Sequence, residues 1–367
     1  MIEFINIKWF KTLFDVSFPC SRLCLFSGLN GMGKSSLIQA LLLLRQSWEQ
    51  NALINRGLLL NGDYVNLGKG KDVLAENSGQ NTFGFCLKWE GRDPVHFNFQ
   101  SKLDSELQSI IKSESLFDLA EESLFNQNFQ YLSADRVGPR STYETSDYNI
   151  NELNSIGNHG EYAVHFIAEN ASKPLNIPGL KHPDSETATF LENLNSWMGE
   201  ITPGVLIRAV QQENNTASLS YQFVQGKDIT ANYSPQNVGF GLSYVLPVMV
   251  TLLRSKPGDL VIIENPESHL HPAGQAILGK LCSLVAAQGV QLIIESHSDH
   301  FLNGIRVAVK DNIIHSDDVS IFFLQRRITD MGHISHVIQP KLDEQGHLDQ
   351  WPENFFDEWD KQLEHLL

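Results

Sequence analysis

The chain has few cysteines, few basic residues and no long apolar run. Four cysteines occur among its 367 residues, Cys20, Cys24, Cys86 and Cys282, and no pair has C-x-x-C spacing. We therefore expect buried apolar side chains at these positions, and neither a zinc site nor a disulfide framework. A transmembrane helix needs about 18 uninterrupted apolar residues, and the sequence contains no such run.

The shortage of basic residues restricts the partners of the chain. Lysine and arginine number 27 against 43 aspartates and glutamates, which gives a formal charge of −16. Sequence-independent DNA binding requires neutralised phosphates, so DNA contact over the whole surface is disfavoured, although a local basic face around Lys69, Lys71 and Arg136 stays open. The first residues lack the layout of a secretion signal, and we expect a cytoplasmic protein without membrane contact.

The most informative stretch is the phosphate loop, residues 28–35, which reads Gly-Leu-Asn-Gly-Met-Gly-Lys-Ser. This complete G-x-x-x-x-G-K-S motif follows an apolar strand and precedes a helical run, as a nucleotide site requires. We expect Lys34 to reach the β- and γ-phosphates of ATP or GTP and Ser35 to hold Mg²⁺. The predicted nucleotide-binding residues here are Asn30, Gly31, Met32, Gly33, Lys34, Ser35 and Ser36.

Three later motifs complete the pattern of a nucleotide site. A buried strand over 260–264 ends in Glu264, which is predicted to bind Mg²⁺ together with Ser35. A second buried strand, 291–295, leads to His297. Upstream lies a glycine turn, residues 237–241, that opens an apolar helix. This order matches ABC-type ATPase heads and does not fit Ras-like or RecA-like proteins.

On these motifs the chain resembles the SMC/RecF/OLD-like branch of soluble ABC ATPases over nearly its full length. The resemblance rests on residues 27–36 and on the run Ile-Glu-Asn-Pro-Glu-Ser-His-Leu-His-Pro at 263–272. The segments 131–140, 237–241 and 351–356 are similar to stand-alone bacterial AAA-type ATPases associated with anti-phage defence. The resemblance implies a head-to-tail homodimer that sandwiches ATP and Mg²⁺ between its subunits.

The resemblance also assigns residues of the glycine turn and its surroundings. Gly239 and Gly241 are expected to approach the γ-phosphate held by the other subunit. This signature usually has a serine where Gly239 stands, so its hydroxyl contact is missing unless Ser243 substitutes. His297 is expected to sense or polarise that phosphate. Arg136 is predicted to reach phosphate, with surface ion pairing as the alternative for Arg136 and Arg140.

Hydrolysis is expected to be slow. Asn265 stands where many ABC heads carry the catalytic glutamate, and an amide cannot take a proton from water. Glu267 is the predicted base, which makes Glu267, His297 and Asn265 the candidate catalytic set. His269 and His271 near Glu267 have the spacing of a metal cluster, but we favour a loop that faces the partner subunit.

The predicted fold is α/β, a P-loop NTPase with an ABC-type head whose mixed sheet is flanked by helices and carries an inserted α+β lid. We divide the chain into an N-terminal core (1–139), the lid (140–232), a C-terminal core (233–310) and an α/β extension (311–367). Strands are predicted at 2–8, 13–18, 23–27, 82–90, 94–100, 129–133, 259–264 and 290–295. Helices are predicted at 34–49, 104–123, 241–254, 272–288 and 298–309.

The hypothesis for function is an ATP-driven dimerisation switch. It would control a separate effector, a nuclease or toxin from a neighbouring gene, in anti-phage defence. The alternatives are a RecF/SMC-like ATPase that binds DNA in repair or genome maintenance, and a scaffold that needs ATP without hydrolysing it.

Overall fold

The chain forms two units that use separate parts of the sequence. The structure is a computed structural model that describes residues 1–76, 79–111, 118–330, 332–356 and 358–366. The first unit comprises Met1–Phe129, Asp317–Asp343 and His347–Leu367, and the second comprises Gln130–Ser316 and Glu344–Gly346. The predicted boundaries at residues 139, 232 and 310 stay predictions.

The helices and strands follow one another in a mixed order. In chain order the strands are β1 (Ile2–Phe10), β2 (Leu13–Pro19), β3 (Leu23–Gly28), β4 (Gly57–Leu59), β5 (Thr82–Trp89), β6 (Val95–Gln100), β7 (Leu107–Ile111), β8 (Phe129–Leu132), β9 (Tyr143–Glu144), β10 (Val205–Gln212), β11 (Thr216–Gln225), β12 (Asp228–Ile229), β13 (Leu260–Glu264), β14 (Gln291–Glu295), β15 (Val319–Thr329) and β16 (Gly332–Ile338). The helices are α1 (Lys34–Glu49), α2 (Gly70–Val73), α3 (Ala163–Asn170), α4 (Phe190–Ile201), α5 (Phe240–Arg254), α6 (Pro272–Ala287), α7 (Asp299–Lys310) and α8 (Glu358–Leu366). Among the described residues, none of these helices combines the length and apolarity of a membrane span.

The first unit contains a six-stranded antiparallel sheet in the order β2-β1-β5-β6-β7-β4. Alternating apolar residues of these strands bury one face, where Phe10 meets the ring of Phe85 edge-on with centroids 5.2 Å apart. Phe83 and Phe99 extend this aromatic core. The predicted strands at 2–8, 13–18, 82–90 and 94–100 are confirmed.

A second group of strands in the first unit holds the phosphate loop. β3 is buried along its whole length and pairs in parallel with β15, and β15 pairs antiparallel with β16. We call β15–β16 the C-terminal hairpin. α1 follows the loop and buries Leu37, Leu41 and Leu44, which confirms the predicted helix at 34–49. These contacts fix the strand and the helix on either side of the loop.

The second unit contains the parallel pair β13–β14, with β8 beside β13. Continuous apolar runs form these strands, as expected for strands covered on both faces. The helices α5, α6 and α7 confirm the predictions for 241–254, 272–288 and 298–309. The same unit carries a smaller sheet in which β11 lies between β10 and β12 and also pairs with β9.

The predicted amphipathic helix over 104–123 is wrong. Residues Leu107–Ile111 form β7, which pairs with both β6 and β4, and Leu119–Glu121 form one 3₁₀ turn. Gln108 is fully buried because its side chain bonds the backbone of Lys102 and Ser105. The polarity of Gln108 suggested a solvated helix, but its side chain instead binds the backbone of the loop before β7. The rest of the predicted helix, residues 112–117, lies outside the described residues.

Candidate nucleotide-binding site and acidic cluster

The phosphate loop joins β3 to α1 through three glycines with positive φ. Gly28, Gly31 and Gly33 have φ angles of 142°, 75° and 95°, which residues with a side chain rarely adopt. At Gly28 there is also no room, because a Cβ would lie 2.3 Å from the carbonyl oxygen of Leu324 in β15. The base of the loop is thus fixed by the sheet, while Asn30 and Gly31 at its tip are exposed.

The predicted phosphate ligands stand at the start of α1. Lys34 is 3% exposed, and its Nζ donates to the carbonyl oxygens of Gly28 and Leu29 at 2.8 Å each. Ser35 is exposed and Ser36 is buried. The 16-residue helix adds the positive end of its dipole at this point. The loop therefore concentrates positive potential where a phosphate would bind.

A cavity of about 630 Å³ adjoins the loop within the first unit. Its walls come from the loop residues 30–32, the β1–β2 turn and the C-terminal hairpin. Lys11 in the β1–β2 turn donates to Gln39 Oε1 at 2.6 Å, and burial lowers the pKa of Lys11, partly offset by Asp72. The volume lies within the range of small-molecule sites, so the cavity has room for a nucleoside.

The acidic cluster of the second unit consists of Glu264, Glu267 and Glu295. Glu264 and Glu295 lie opposite each other in the register of β13 and β14. Glu264 Oε2 accepts the amide of Ala134 at 3.3 Å. Burial raises the pKa of Glu264, and hydrogen bonds from Ala134 and the Tyr131 hydroxyl oppose that rise. A divalent cation bound to this carboxylate would replace the stabilisation of its negative charge that burial removes by excluding water.

Asn265 occupies a backbone position that disfavours glutamate. Its φ is 43°, in the left-handed region where asparagine is enriched among residues other than glycine. Its amide donates to the carbonyl oxygen of Glu295 at 2.8 Å. Its buried Oδ1 has no hydrogen-bond partner in the described part of the chain. The departure from the usual catalytic glutamate thus has a local backbone cause.

Glu267 and His297 meet at the end of β14. Glu267 Oε1 accepts the backbone amide of His297 at 2.9 Å, and burial raises the pKa of Glu267 against that hydrogen bond. The His297 side chain is 39% exposed, and its Nε2 lies 4.0 Å from Glu295 Oε1. The structure thus brings together the predicted base and the predicted sensing histidine. Their catalytic roles stay predictions.

Arg136 does not form surface ion pairs, because it is only 3% exposed. Its Nη1 donates to the carbonyl oxygens of Ser133 and Glu264 at 3.1 and 2.7 Å, and its Nη2 to that of Asn265 at 2.6 Å. Burial lowers the pKa of Arg136 to about 10. Arg136 therefore holds the turn after β13 and adds no charge to a basic face. Contact with phosphate stays a prediction.

The two glycines of the glycine turn differ in their surroundings. A Cβ at Gly241 would lie 2.5 Å from the carbonyl oxygen of His269, whereas at Gly239 nothing lies within 4 Å. Gly241 is thus needed for packing inside its own chain, and Gly239 is the open position at the N-terminus of α5. Ser243 is buried at 3% exposure beside Tyr221. Ser243 therefore does not present its hydroxyl at the surface, contrary to its predicted role.

The histidines after β13 have structural contacts. His269 packs against the rings of Phe240 and Tyr244, and His271 caps α6 by accepting the amide of Ala273 at Nδ1. These contacts involve His269 and His271 in packing and capping, and the loop that faces a partner subunit stays a prediction.

Two other histidines face carboxylates without forming a metal site. His165 Nδ1 accepts the amide of Ser146 at 3.2 Å, and Nε2 lies 3.3 Å from Glu169. A neutral imidazole that accepts at Nδ1 carries its proton on Nε2, so Nε2 has no lone pair for a metal. The same holds for His182, whose Nδ1 accepts the amide of Asp184.

Solved structures with a similar fold are heads of SMC proteins. One is an SMC head bound to the C-winged helix domain of ScpA, with a TM-score of 0.51 at 14% identity, covering 94% of this chain and 98% of that chain. Another is the Smc head from Pyrococcus furiosus with an extended coiled coil, bound to the C-terminal domain of ScpA. It has a TM-score of 0.51 at 12% identity and covers 100% of this chain and 99% of that chain. A search of curated proteins found no match.

The likeness to these structures shows the fold of an SMC head, a mixed α/β fold with sheets flanked by helices, as predicted. Residues 26–303 match the family described as “AAA domain, putative AbiEii toxin, Type IV TA system”. The match covers more than half of the chain, and the protein belongs to this family. Residues 314–366 match a second family, described as “Protein of unknown function (DUF3696)”.

Sequence reasoning missed the residues that support the site from a distance. Ser335 Oγ donates to the carbonyl oxygen of Met32 at 2.7 Å across 303 residues of sequence. No motif marks such a serine, because the contact depends on strand pairing. Arg136 was identified as a residue of interest, but its function as a backbone clamp depends on three carbonyl groups that the sequence does not reveal.

Proposed function

We propose that this protein is a slowly hydrolysing ATPase whose ATP-bound form pairs two copies head to tail and thereby controls a separate effector. The single observation that carries the proposal is the phosphate loop, with Lys34 held at its base and Ser35 exposed at the start of α1. The ATPase family of residues 26–303 supports ATP as the ligand.

The residues present fit a magnesium nucleotide. The backbone amides of the loop and Lys34 would hold the phosphates, and the Ser35 hydroxyl would hold Mg²⁺, which neutralises charge on the phosphates when bound. The carbonyl oxygens of Gly28 and Leu29 hold the Lys34 ammonium in place. On nucleotide binding Lys34 would exchange them for phosphate oxygens, which are charged and therefore stronger acceptors. The half-buried Glu264 also offers a carboxylate to a cation. Burial raises its pKa, and a bound cation would favour the ionised form.

Slow hydrolysis is supported by Asn265 and Glu267. The Asn265 amide cannot act as a base, and the ionised form of Glu267 is disfavoured by burial and is engaged with the His297 amide. Glu267 Oε1 already accepts the His297 amide, so it would have to give up that hydrogen bond to take a proton from water through the same oxygen. The ATP-bound state is therefore expected to be long-lived.

Pairing of two copies is supported by Gly239, which is exposed at the N-terminus of the 15-residue helix α5. A Cβ added at this position would meet no atom within 4 Å. Helix N-termini attract anions, and a phosphate held by a second copy is the anion that we propose. The family description names a “putative AbiEii toxin” of a type IV toxin–antitoxin system, which supports action together with a partner protein; that this partner is an effector in anti-phage defence is part of our proposal.

Substitution of Lys34 tests the proposal. Wild-type protein is expected to bind ATP, to release phosphate slowly and to double its mass by light scattering when ATP is added. Lys34→Ala should lose at least about 100-fold in affinity, which corresponds to about 2.7 kcal/mol, and should stay monomeric. Lys8→Ala, which removes an exposed lysine of β1, is the control. Unchanged affinity and turnover in Lys34→Ala would overturn the proposal.

A further inference from the structure

The C-terminal hairpin reaches the phosphate loop through Ser335. This residue is 6% exposed, and its Oγ donates to the carbonyl oxygen of Met32 at 2.7 Å. The Oγ also lies 2.7 Å from Thr12 Oγ1, and the backbone amide of Ser335 donates to the carbonyl oxygen of Thr12 at 2.8 Å. Ser335 and Thr12 therefore form a bonded pair beneath the tip of the loop.

This pair determines which residue can follow Met32. A Cβ at Gly33 would lie 2.5 Å from Ser335 Oγ and 2.9 Å from Thr12 Oγ1. The peptide bonds among the described residues are trans, so the carbonyl of Met32 and the amide of Gly33 point in opposite directions. Because Ser335 binds the carbonyl oxygen of Met32, the amide of Gly33 points away from the Ser335 side chain.

The same hairpin lines the cavity beside the loop. Arg326 and His333 lie on one face of the hairpin with Ser335, and all three line the cavity. Arg326 Nε donates to His333 Nδ1 at 2.7 Å. His333 therefore carries its proton on Nε2 when neutral, and both side chains offer donors to the cavity.

We propose that the C-terminal hairpin, part of the segment matched to a family of unknown function, is a working part of the nucleotide site. Ser335 is a positioning residue that holds the Met32–Gly33 peptide with its amide facing the phosphates. Arg326 and His333 contact the nucleoside. The inference rests on the proposed nucleotide function, and it assigns the C-terminal segment to ligand binding.

Matched serine variants test the positioning role. Ser320 lies in β15 and is also buried, but its Oγ contacts Ser21 and Pro19 away from the loop. Both Ser335→Ala and Ser320→Ala should lower the urea midpoint of unfolding by similar amounts, because each loses a buried hydrogen bond. Only Ser335→Ala should weaken binding, by about tenfold, for ATP and for inorganic tripolyphosphate alike, and Ser335→Thr should restore it. Equal affinities in the two alanine variants would overturn the positioning role.

Matched arginine variants test the nucleoside contact. Arg327 follows Arg326 in β15, and its side chain alternates to the other face of the hairpin. Arg326→Ala should weaken ATP binding about fivefold relative to Arg327→Ala, with equal tripolyphosphate affinity in both, because each loses one charge. A loss confined to tripolyphosphate, or no difference for ATP, would overturn the contact. If Lys34→Ala weakens binding and the hairpin variants do not, only this inference fails; if Lys34→Ala has no effect either, the proposed function itself fails.

Discussion

The tip of the phosphate loop and Ser35 are exposed, whereas Glu267 and Glu295 of the acidic cluster are buried. Asn30, Gly31 and Ser35 are exposed, and the loop needs few side chains because backbone amides do the binding. Glu267 and Glu295 are 7% and 5% exposed, and burial raises the pKa of Glu267. The polar groups at the loop tip therefore stay hydrated, whereas the carboxylates of the acidic cluster are desolvated.

The difference shows how each region keeps its shape without a ligand. The loop is anchored from outside by the packing of Gly28 against Leu324 and by the hydrogen bond from Ser335 to Met32. The acidic cluster is held from within, by the guanidinium of Arg136 on the carbonyls of Glu264 and Asn265. An exposed loop tip needs few contacts because water solvates its polar groups. Buried carboxylates, in contrast, require a buried cation and fixed hydrogen-bond donors.

The largest effect should come from removing the cation of the acidic cluster. Arg136→Met would leave three buried carbonyl groups without their donor and is expected to cost about 3 kcal/mol in the free energy of unfolding. Urea unfolding measures this loss. Arg140→Met, at an exposed position, should change stability by less than about 0.5 kcal/mol. Equal midpoints for the two variants would show that the cluster does not depend on Arg136.

A smaller effect is expected at the base of the phosphate loop. Gly28→Ala combines an unfavourable φ with a clash on the Leu324 carbonyl and should cost about 2 kcal/mol. Gly31→Ala, where a Cβ meets nothing within 4 Å, should cost about 1 kcal/mol for its φ alone. Thermal or urea unfolding distinguishes the two. If Gly31→Ala is the more damaging, the loop is not anchored at its base.

The smallest effect concerns the pH dependence of stability. Because burial raises the pKa of Glu267 above its ordinary value of 4.5, the folded state binds a proton that the unfolded state has released. Stability from this group is therefore lost as pH rises from the ordinary pKa through the raised one. Glu267→Gln removes this loss, so its melting temperature relative to wild type should increase with pH, by about 2 °C at neutral pH.

An exposed acid provides the comparison for this titration. Glu152→Gln, at an exposed position, should show no such trend in a series of melting curves. A difference between Glu267→Gln and wild type that shrinks with rising pH would contradict the burial argument.

The sequence predicted the elements that consist of local patterns, and it failed where distant residues decide. The loop at 28–35 and the strand ending at Glu264 are contiguous signals, and both elements were found. The interpretation of 104–123 as a helix failed because Gln108 is buried by bonds to a neighbouring loop, which polarity alone does not reveal.

Tertiary packing also separated the two glycines of the glycine turn. In the sequence Gly239 and Gly241 have the same residue type and a similar context. The close approach of the His269 carbonyl to Gly241 comes from a segment 28 residues further on, so only the folded chain distinguishes them. Ser335 was missed for the same reason, since it acts on a carbonyl 303 residues away.

The pairing of β3 with β15 has a consequence for biosynthesis. Ribosomes make the chain from its N-terminus, so the loop emerges early, and the strand and serine that brace it emerge about 300 residues later. A nascent chain, or a product of translation aborted before residue 335, has the complete motif but lacks its support. We therefore expect the phosphate loop to reach its final geometry only after residue 335 has been synthesised.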